Sequence, residues 1–217
     1  WDWLDPVCLV EAIAIARGNG ANVTAELWGA RSPDPLVPAS RAVARVAERA
    51  RALGIGDAIE IVDWVPHGER RERLARADAA VTLDPGGIEA RYAFRTRLVD
   101  ALAAGLPVIA TTGEVVADEA AGQGAGFTVP ARKPEALANL LGELADDPAR
   151  LTSARARASA VARGWAYEST VAPLAEWCRD PRRARTGTPS PGPSGAGVLR
   201  RLRHRIQRAS NSSTSAL

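Results

Sequence analysis

Short apolar runs and longer mixed stretches alternate along the first 178 residues. Ala25–Trp28, Ile59–Val62, Ala79–Leu83, Val108–Thr111 and Gly126–Val129 are brief, apolar and flanked by turn-forming residues, which predicts five strands. Between and after them, helical patterning predicts helices over 7–17, 40–53, 68–77, 91–104, 114–121, 134–145, 148–162 and 167–177. Near-continuous apolar strands alternating with helices imply a parallel sheet covered on both faces. The expected fold class is α/β, a Rossmann-like doubly wound domain. Gly105 and Pro107 stop the helix over 91–104, while Pro134 and Pro148 fit first-turn positions, where a missing N–H costs nothing.

From Pro181 the pattern disappears. Residues 179–197 form a Pro/Gly/Ser linker that cannot bury a core and is expected to be disordered. Beyond it, Val198, Leu199, Leu202 and Ile206 recur at helical spacing among five arginines, so 198–217 reads as a basic amphipathic segment and tail. Such a segment over 198–208 suits peripheral contact with anionic lipid, and plain disorder is the alternative.

Charge sharpens this division. The 217 residues carry a formal +3, with 27 Arg and a single Lys, Lys133. From Arg179 onward there are nine arginines and one acid, net +8; the first 178 residues hold 19 basic and 24 acidic groups, net −5. The basicity belongs to the tail, and a folded part of net negative charge argues against a nucleic-acid-binding protein. Two cysteines and two histidines, each pair far apart, exclude a disulfide scaffold and give no metal centre. No apolar run is long enough to span a membrane. A sequence opening on Trp1 and lacking Met reads as one from which an N-terminal part is missing.

Candidate chemistry concentrates in Asp84-Pro-Gly-Gly-Ile-Glu-Ala-Arg-Tyr-Ala-Phe-Arg-Thr-Arg-Leu-Val-Asp100, which starts at the carboxyl end of a predicted strand, where ligands bind in open α/β sheets. Gly86 and Gly87 let backbone approach a ligand closely. A helix start supplies free N–H groups suited to phosphate, and Arg95 and Arg97 add bidentate donors. Thr96 and Asp100, four apart, share a helix face on which a carboxylate accepts from a ribose diol. The alternatives are a plain turn, a solvated arginine face, and an Arg97–Asp100 pair within the helix. A second strand-end loop holds Gly113 and Glu114, which either face a sugar or its phosphates, or follow Thr112 acting as a helix cap. Trp64 and the Val65 main chain, after another strand, either meet a nucleotide base or serve packing.

The run as a whole resembles the C-terminal, donor-binding domain of GT-B-fold glycosyltransferases of the family-four type (glycosyl transferases group 1). The resemblance covers about residues 1–178. It rests on Ala25-Glu-Leu-Trp-Gly, Ile59-Glu-Ile-Val-Asp-Trp-Val-Pro-His-Gly, Leu74-Ala-Arg-Ala-Asp-Ala-Ala-Val-Thr-Leu, Gly126-Phe-Thr-Val-Pro and above all Asp100-Ala-Leu-Ala-Ala-Gly-Leu-Pro-Val-Ile. Tyr-Ala-Phe-Arg-Thr-Arg is similar to a subgroup with an Arg-Thr-Arg signature, and Glu89 and Asp100 lie farther apart than the family's usual pair of glutamates. The resemblance implies half of a GT-B fold. It implies sugar transfer from a nucleotide diphosphate sugar to an acceptor hydroxyl, with retention of anomeric configuration and without cofactor or metal. It assigns Glu89 to the sugar as the catalytic acid, Asp100 to the ribose, and Arg95, Thr96 and Arg97 to the diphosphate.

An N-terminal domain supplying the acceptor pocket is implied, so this chain alone is expected to be inactive. A glycan or lipid-linked glycan is the expected class of acceptor, and the expected location is cytoplasmic, peripheral at the inner face of the cell membrane. A non-catalytic nucleotide-sugar-binding module and a GT-B-fold epimerase or phosphorylase stand as the other readings.

Overall fold

The computed structural model describes residues 4–38 and 40–181. The predicted linker beyond Pro181 and the amphipathic segment over 198–208 lie outside the described residues. The chain divides into a unit over Trp1–Val171 and a second from Ala172. The first contains every strand and the candidate site.

All five predicted strands form: β1 Ala25–Trp28, β2 Ile59–Val62, β3 Ala80–Thr82, β4 Val108–Thr111 and β5 Gly126–Val129. The helices are α1 Pro6–Gly18, α2 Arg41–Ala52, α3 His67–Arg76, α4 Ile88–Tyr92, α5 Thr96–Ala103, α6 Val115–Gly122, α7 Pro134–Asp146, α8 Pro148–Gly164 and α9 Tyr167–Arg179. A short 3-10 turn over Gly56–Ala58, which the periodicity did not signal, leads into β2. The helix starts have local causes. The Asp5 carboxylate accepts from the Cys8 N–H ahead of Pro6, Ser40 Oγ accepts from Ala42 N–H, and Asp147 caps α8 ahead of Pro148.

Every strand pair is parallel, but the strands form two sheets, β1-β2 and β3-β4-β5. No ladder joins β1 to β3 among the described residues, which departs from the single sheet that the sequence pattern implies. One apolar cluster nevertheless runs beneath both. Ala25 and Leu27 of β1, Val81 and Leu83 at β3, and Ile109 of β4 pack with Val10 and Ile13 of α1 and Leu137 and Leu141 of α7. Just before α1, the Asp5 N–H donates to the Leu83 carbonyl at 2.9 Å.

The middle strand β4 is buried throughout and shows the doubly wound arrangement directly. Ile109 enters the cluster with α1 and α7, whereas Val108 and Ala110 enter a second cluster with Leu98 and Leu102 of α5, Val116 of α6 and Val161 of α8. Alternation along a strand sends neighbouring side chains to opposite faces, so both faces of this sheet carry helices. Complete burial of aliphatic side chains such as Leu98, Leu102 and Leu106 contributes about 1.5–3 kcal/mol each.

The helix expected over 91–104 is broken. α4 ends at Tyr92, the extended conformation of Ala93 terminates it, and Arg95 stands as the N-terminal cap residue of α5. Two tertiary contacts account for the interruption. Phe94 turns its ring onto Trp165 at 5.0 Å, and Arg95 turns inward to buried Asp84 and half-exposed Glu89. Helical continuation from Arg91 would have kept Arg95 on the solvent face one turn along.

Candidate functional site

Two loops at the carboxyl ends of β3 and β4 carry most of the candidate residues. The first begins at Asp84, whose carboxylate is 1% exposed. Its backbone N–H donates to Thr111 Oγ at 3.0 Å, and Thr111 donates back to the Asp84 carbonyl at 3.2 Å, tying the ends of β3 and β4 together. Asp84 Oδ1 accepts from the Gly86 N–H at 2.8 Å, folding the chain into a tight turn. Gly86 and Gly87 continue that turn at φ of +77° and +114°. A Cβ on Gly86 would stand 3.2 Å from the Ala131 Cβ, so both conformation and space favour glycine there.

Arg95 is the centre of the cluster. Its Nη2 lies 2.8 Å from Glu89 Oε2 and 3.8 Å from Asp84 Oδ2, and its side chain is 5% exposed. Glu89, by contrast, is about half exposed. The guanidinium expected to grip a diphosphate is therefore engaged by two carboxylates of its own chain. Asp84 Oδ2, Arg95 Nε and Glu114 Oε1 are buried without a hydrogen-bond partner.

Thr96, Arg97 and Asp100 occupy the exposed side of α5, with Thr96 at its first residue. Arg97 and Asp100 form no ion pair with each other among the described residues. The Arg97 pKa is held below the usual arginine range, first by partial burial and then by the nearby Arg95 charge. It remains a cation at neutral pH, since an arginine deprotonates only in strong base.

The second loop turns its acids inward, and Arg95 of the first loop lies near enough to Glu114 to favour its charged form. The Gly113 N–H donates to both oxygens of Asp118 at 3.0 and 3.1 Å. Glu114, 1% exposed, accepts from the Ala117 N–H at 2.7 Å and is the cap of α6, the position that the sequence pattern offered to Thr112. Burial pushes the Glu114 carboxyl above its ordinary pKa, against backbone N–H donors, Ala117 first, that favour the charged form.

Trp64, after β2, is exposed and has the Arg70 guanidinium 5.3 Å above its ring; Arg70 Nε also donates to the Val65 carbonyl at 3.2 Å. The Val65 side chain is buried, so its main chain is engaged by Arg70 and its side chain by the core. Sequence reasoning left Asp84, Thr111 and Asp118 without roles. The available signal was an acid at a strand end followed by Pro-Gly-Gly. Both cysteines are free thiols, and burial followed by the Asp5 charge pushes Cys8 up to about 11. An open groove of about 610 Å³ lined by Asp5, Arg45, Arg49, Pro85 and Arg132 includes none of the candidate residues. Arg49 there is paired with Glu11 at 2.7 Å.

Solved structures with the same fold include HepE of Anabaena in complex with UDP-glucose, at 21% identity and a TM-score of 0.65, covering 82% of this chain and 46% of that one. Sucrose-phosphate synthase of Thermosynechococcus elongatus matches at 20% identity and 0.61, covering 81% and 42%. WaaG, a glycosyltransferase involved in lipopolysaccharide biosynthesis, matches at 19% and 0.58, covering 81% and 43%. The chain thus spans less than half the length of these structures. No curated protein sequence matches it. A family profile described as glycosyl transferases group 1 matches residues 7–147, from the start of α1 to the end of α7 and across all five strands. With its parallel strands, helix-covered faces and strand-end loops inside that match, the chain belongs to the glycosyl transferases group 1 family.

Proposed function

We propose that this chain is the donor-binding part of a glycosyltransferase that moves a sugar from a nucleotide diphosphate to an acceptor hydroxyl with retention of configuration. The observation that carries the reading is one exposed carboxylate, Glu89, fixed by buried Arg95 beside the open start of α5, where Thr96, Arg97 and Asp100 face solvent. Arg97, at the positive end of the α5 dipole, binds the diphosphate and stabilises the charge that develops as it leaves, while the Thr96 and Leu98 N–H groups are held by the Phe94 and Arg95 carbonyls. Asp100, one turn along from Thr96, accepts from the ribose hydroxyls. Glu89 accepts from the sugar, and Trp64 stacks on the base. No step needs a metal. The UDP-glucose held by HepE supports a nucleotide-sugar ligand.

A second domain preceding this one completes the active site and supplies the acceptor pocket. The edges of β1 and β3, unpaired among the described residues, the apolar cluster beneath both sheets and the Asp5–Leu83 hydrogen bond support a further parallel strand running into α1. A glycan or lipid-linked glycan is the acceptor. Among the described residues no helix is long and apolar enough to cross a membrane; contact with the inner membrane face through 198–208 is part of the proposal.

Calorimetry with nucleoside diphosphates and their sugar esters tests the reading. Binding that is weakened at least tenfold by Arg97→Ala and by Asp100→Ala is expected. No binding, or binding indifferent to both substitutions, overturns it. Sugar transfer by residues 1–217 alone would overturn the need for a second domain. Binding without transfer by the full-length protein would favour a non-catalytic module. Liposome binding unchanged by deleting 198–208 would remove the membrane contact.

A further inference from the structure

We infer that Arg95 is a positioning residue: anchored on buried Asp84, it fixes Glu89 so that this carboxylate recognises the sugar hydroxyls of the donor, and it does not itself bind the diphosphate. The inference deepens the donor-binding reading above and rests on it.

A relay of fixed groups leads from β4 to the exposed carboxylate. Thr111 on β4 holds the Asp84 backbone from both sides, and Gly86 N–H holds Asp84 Oδ1. Asp84 Oδ2 is thereby turned toward Arg95 at 3.8 Å, and the same Arg95 nitrogen holds Glu89 Oε2 at 2.8 Å. Exposure along this relay is 1% at Asp84, 5% at Arg95 and 53% at Glu89. Only the last member meets solvent.

A diphosphate approaching Arg95 would have to displace Glu89 and bring its own negative charge beside Asp84. Both steps are unfavourable where burial weakens screening. The Glu89 carboxylate repels phosphate and accepts from hydroxyl groups, and its Oε1 has no hydrogen bond among the described residues. A sugar supplies hydroxyl donors; a diphosphate does not. α4 is only five residues long, so without Arg95 nothing seen in the structure holds the Glu89 carboxylate in one orientation.

The relay therefore predicts discrimination between a nucleoside diphosphate and its sugar ester. Full-length protein is titrated with UDP and UDP-glucose, then GDP and GDP-mannose, then ADP and ADP-glucose; the first pair that the wild type binds is carried forward. Arg95→Lys keeps a cation for Asp84 but loses the reach to Glu89. It should weaken the sugar ester about tenfold, the size of a hydrogen bond to a charged group, and leave the nucleoside diphosphate within about twofold. Glu89→Gln should do the same, and the double substitution should lose no more than either alone. Arg97→Ala should weaken both ligands equally.

If Arg95→Lys weakens both ligands alike, Arg95 is a phosphate ligand or a merely structural residue, and the inference is overturned. Should Arg95→Lys not fold, Asp84→Asn loosens the same anchor and is read by the same ratio. Glu89→Gln, at an exposed position, decides in either case: an unchanged ratio there overturns the assignment. If the wild type binds no pair, the donor-binding reading falls and takes this inference with it. If binding depends on Arg97 but the ratio ignores Arg95, only this inference falls.

Discussion

The loops after β3 and β4 are built from the same parts: a strand end, a glycine, an acid and a following helix. They use them in opposite ways. After β4, Asp118 takes the Gly113 N–H and one oxygen of buried Glu114 caps α6, so the loop keeps its acids inside. After β3, Asp84 is equally buried, but Arg95 passes its charge outward to Glu89, which stays half exposed. One loop closes the fold, and the other delivers a fixed carboxylate to the surface. The difference depends on a single arginine, reached only because the chain between α4 and α5 leaves the helical path.

The largest expected effect separates that arginine from its neighbour. Arg95→Ala leaves Asp84 buried without a counter-ion and should cost about 3–5 kcal/mol of folding stability, measured by urea unfolding. Arg97→Ala, on the exposed face of α5, should stay within about 0.5 kcal/mol. Equal losses at both positions would erase the contrast between a buried relay and an open helix start.

The link between the two loops comes next. Thr111→Val removes the acceptor of the buried Asp84 N–H and should cost about 1–3 kcal/mol in the same measurement. Gly86→Ala, at a positive φ and 3.2 Å from Ala131, should cost about 1–2 kcal/mol and weaken ligand binding by shifting the β3 loop.

The smallest effect is a pH slope from the closed loop. The folded-state pKa of Glu114 lies above its ordinary 4.5. The folded protein therefore holds this proton more tightly than the unfolded chain does. The associated stability is complete below about 4.5 and is lost as pH rises through the folded value. Glu114→Gln should flatten that part of the melting temperature against pH profile. A slope unchanged by the substitution would assign the titration to other groups.

Much of the architecture was legible because it is written locally. β4 reads Val-Ile-Ala-Thr and is buried on both faces, and Pro134 and Pro148 mark helix starts without reference to anything distant. The break at 93–95 was not legible. The residues on both sides favour helix, and what interrupts them lies elsewhere in the chain: Trp165 for Phe94, Asp84 for Arg95. Arg95 reads in the sequence as an arginine on a helix face, and its inward turn onto Asp84 and Glu89 is a tertiary outcome. Glu114 was visible as an acid after glycine, but its role as a cap depends on where α6 begins. The separation of β1 from β3 depends on pairing between distant segments, which apolar runs alone do not encode.

That separation has a practical side. β1 and β3 each have one hydrogen-bonded neighbour among the described residues, as do the outer strands β2 and β5. An unpaired strand edge is a template for another chain. Glu26 and Glu60, charged and exposed on adjacent strands, oppose such stacking on the β1-β2 sheet, whereas Val81 on β3 brings no charge. The further parallel strand proposed ahead of α1 would cover this uncharged β3 edge and so remove the template for self-association.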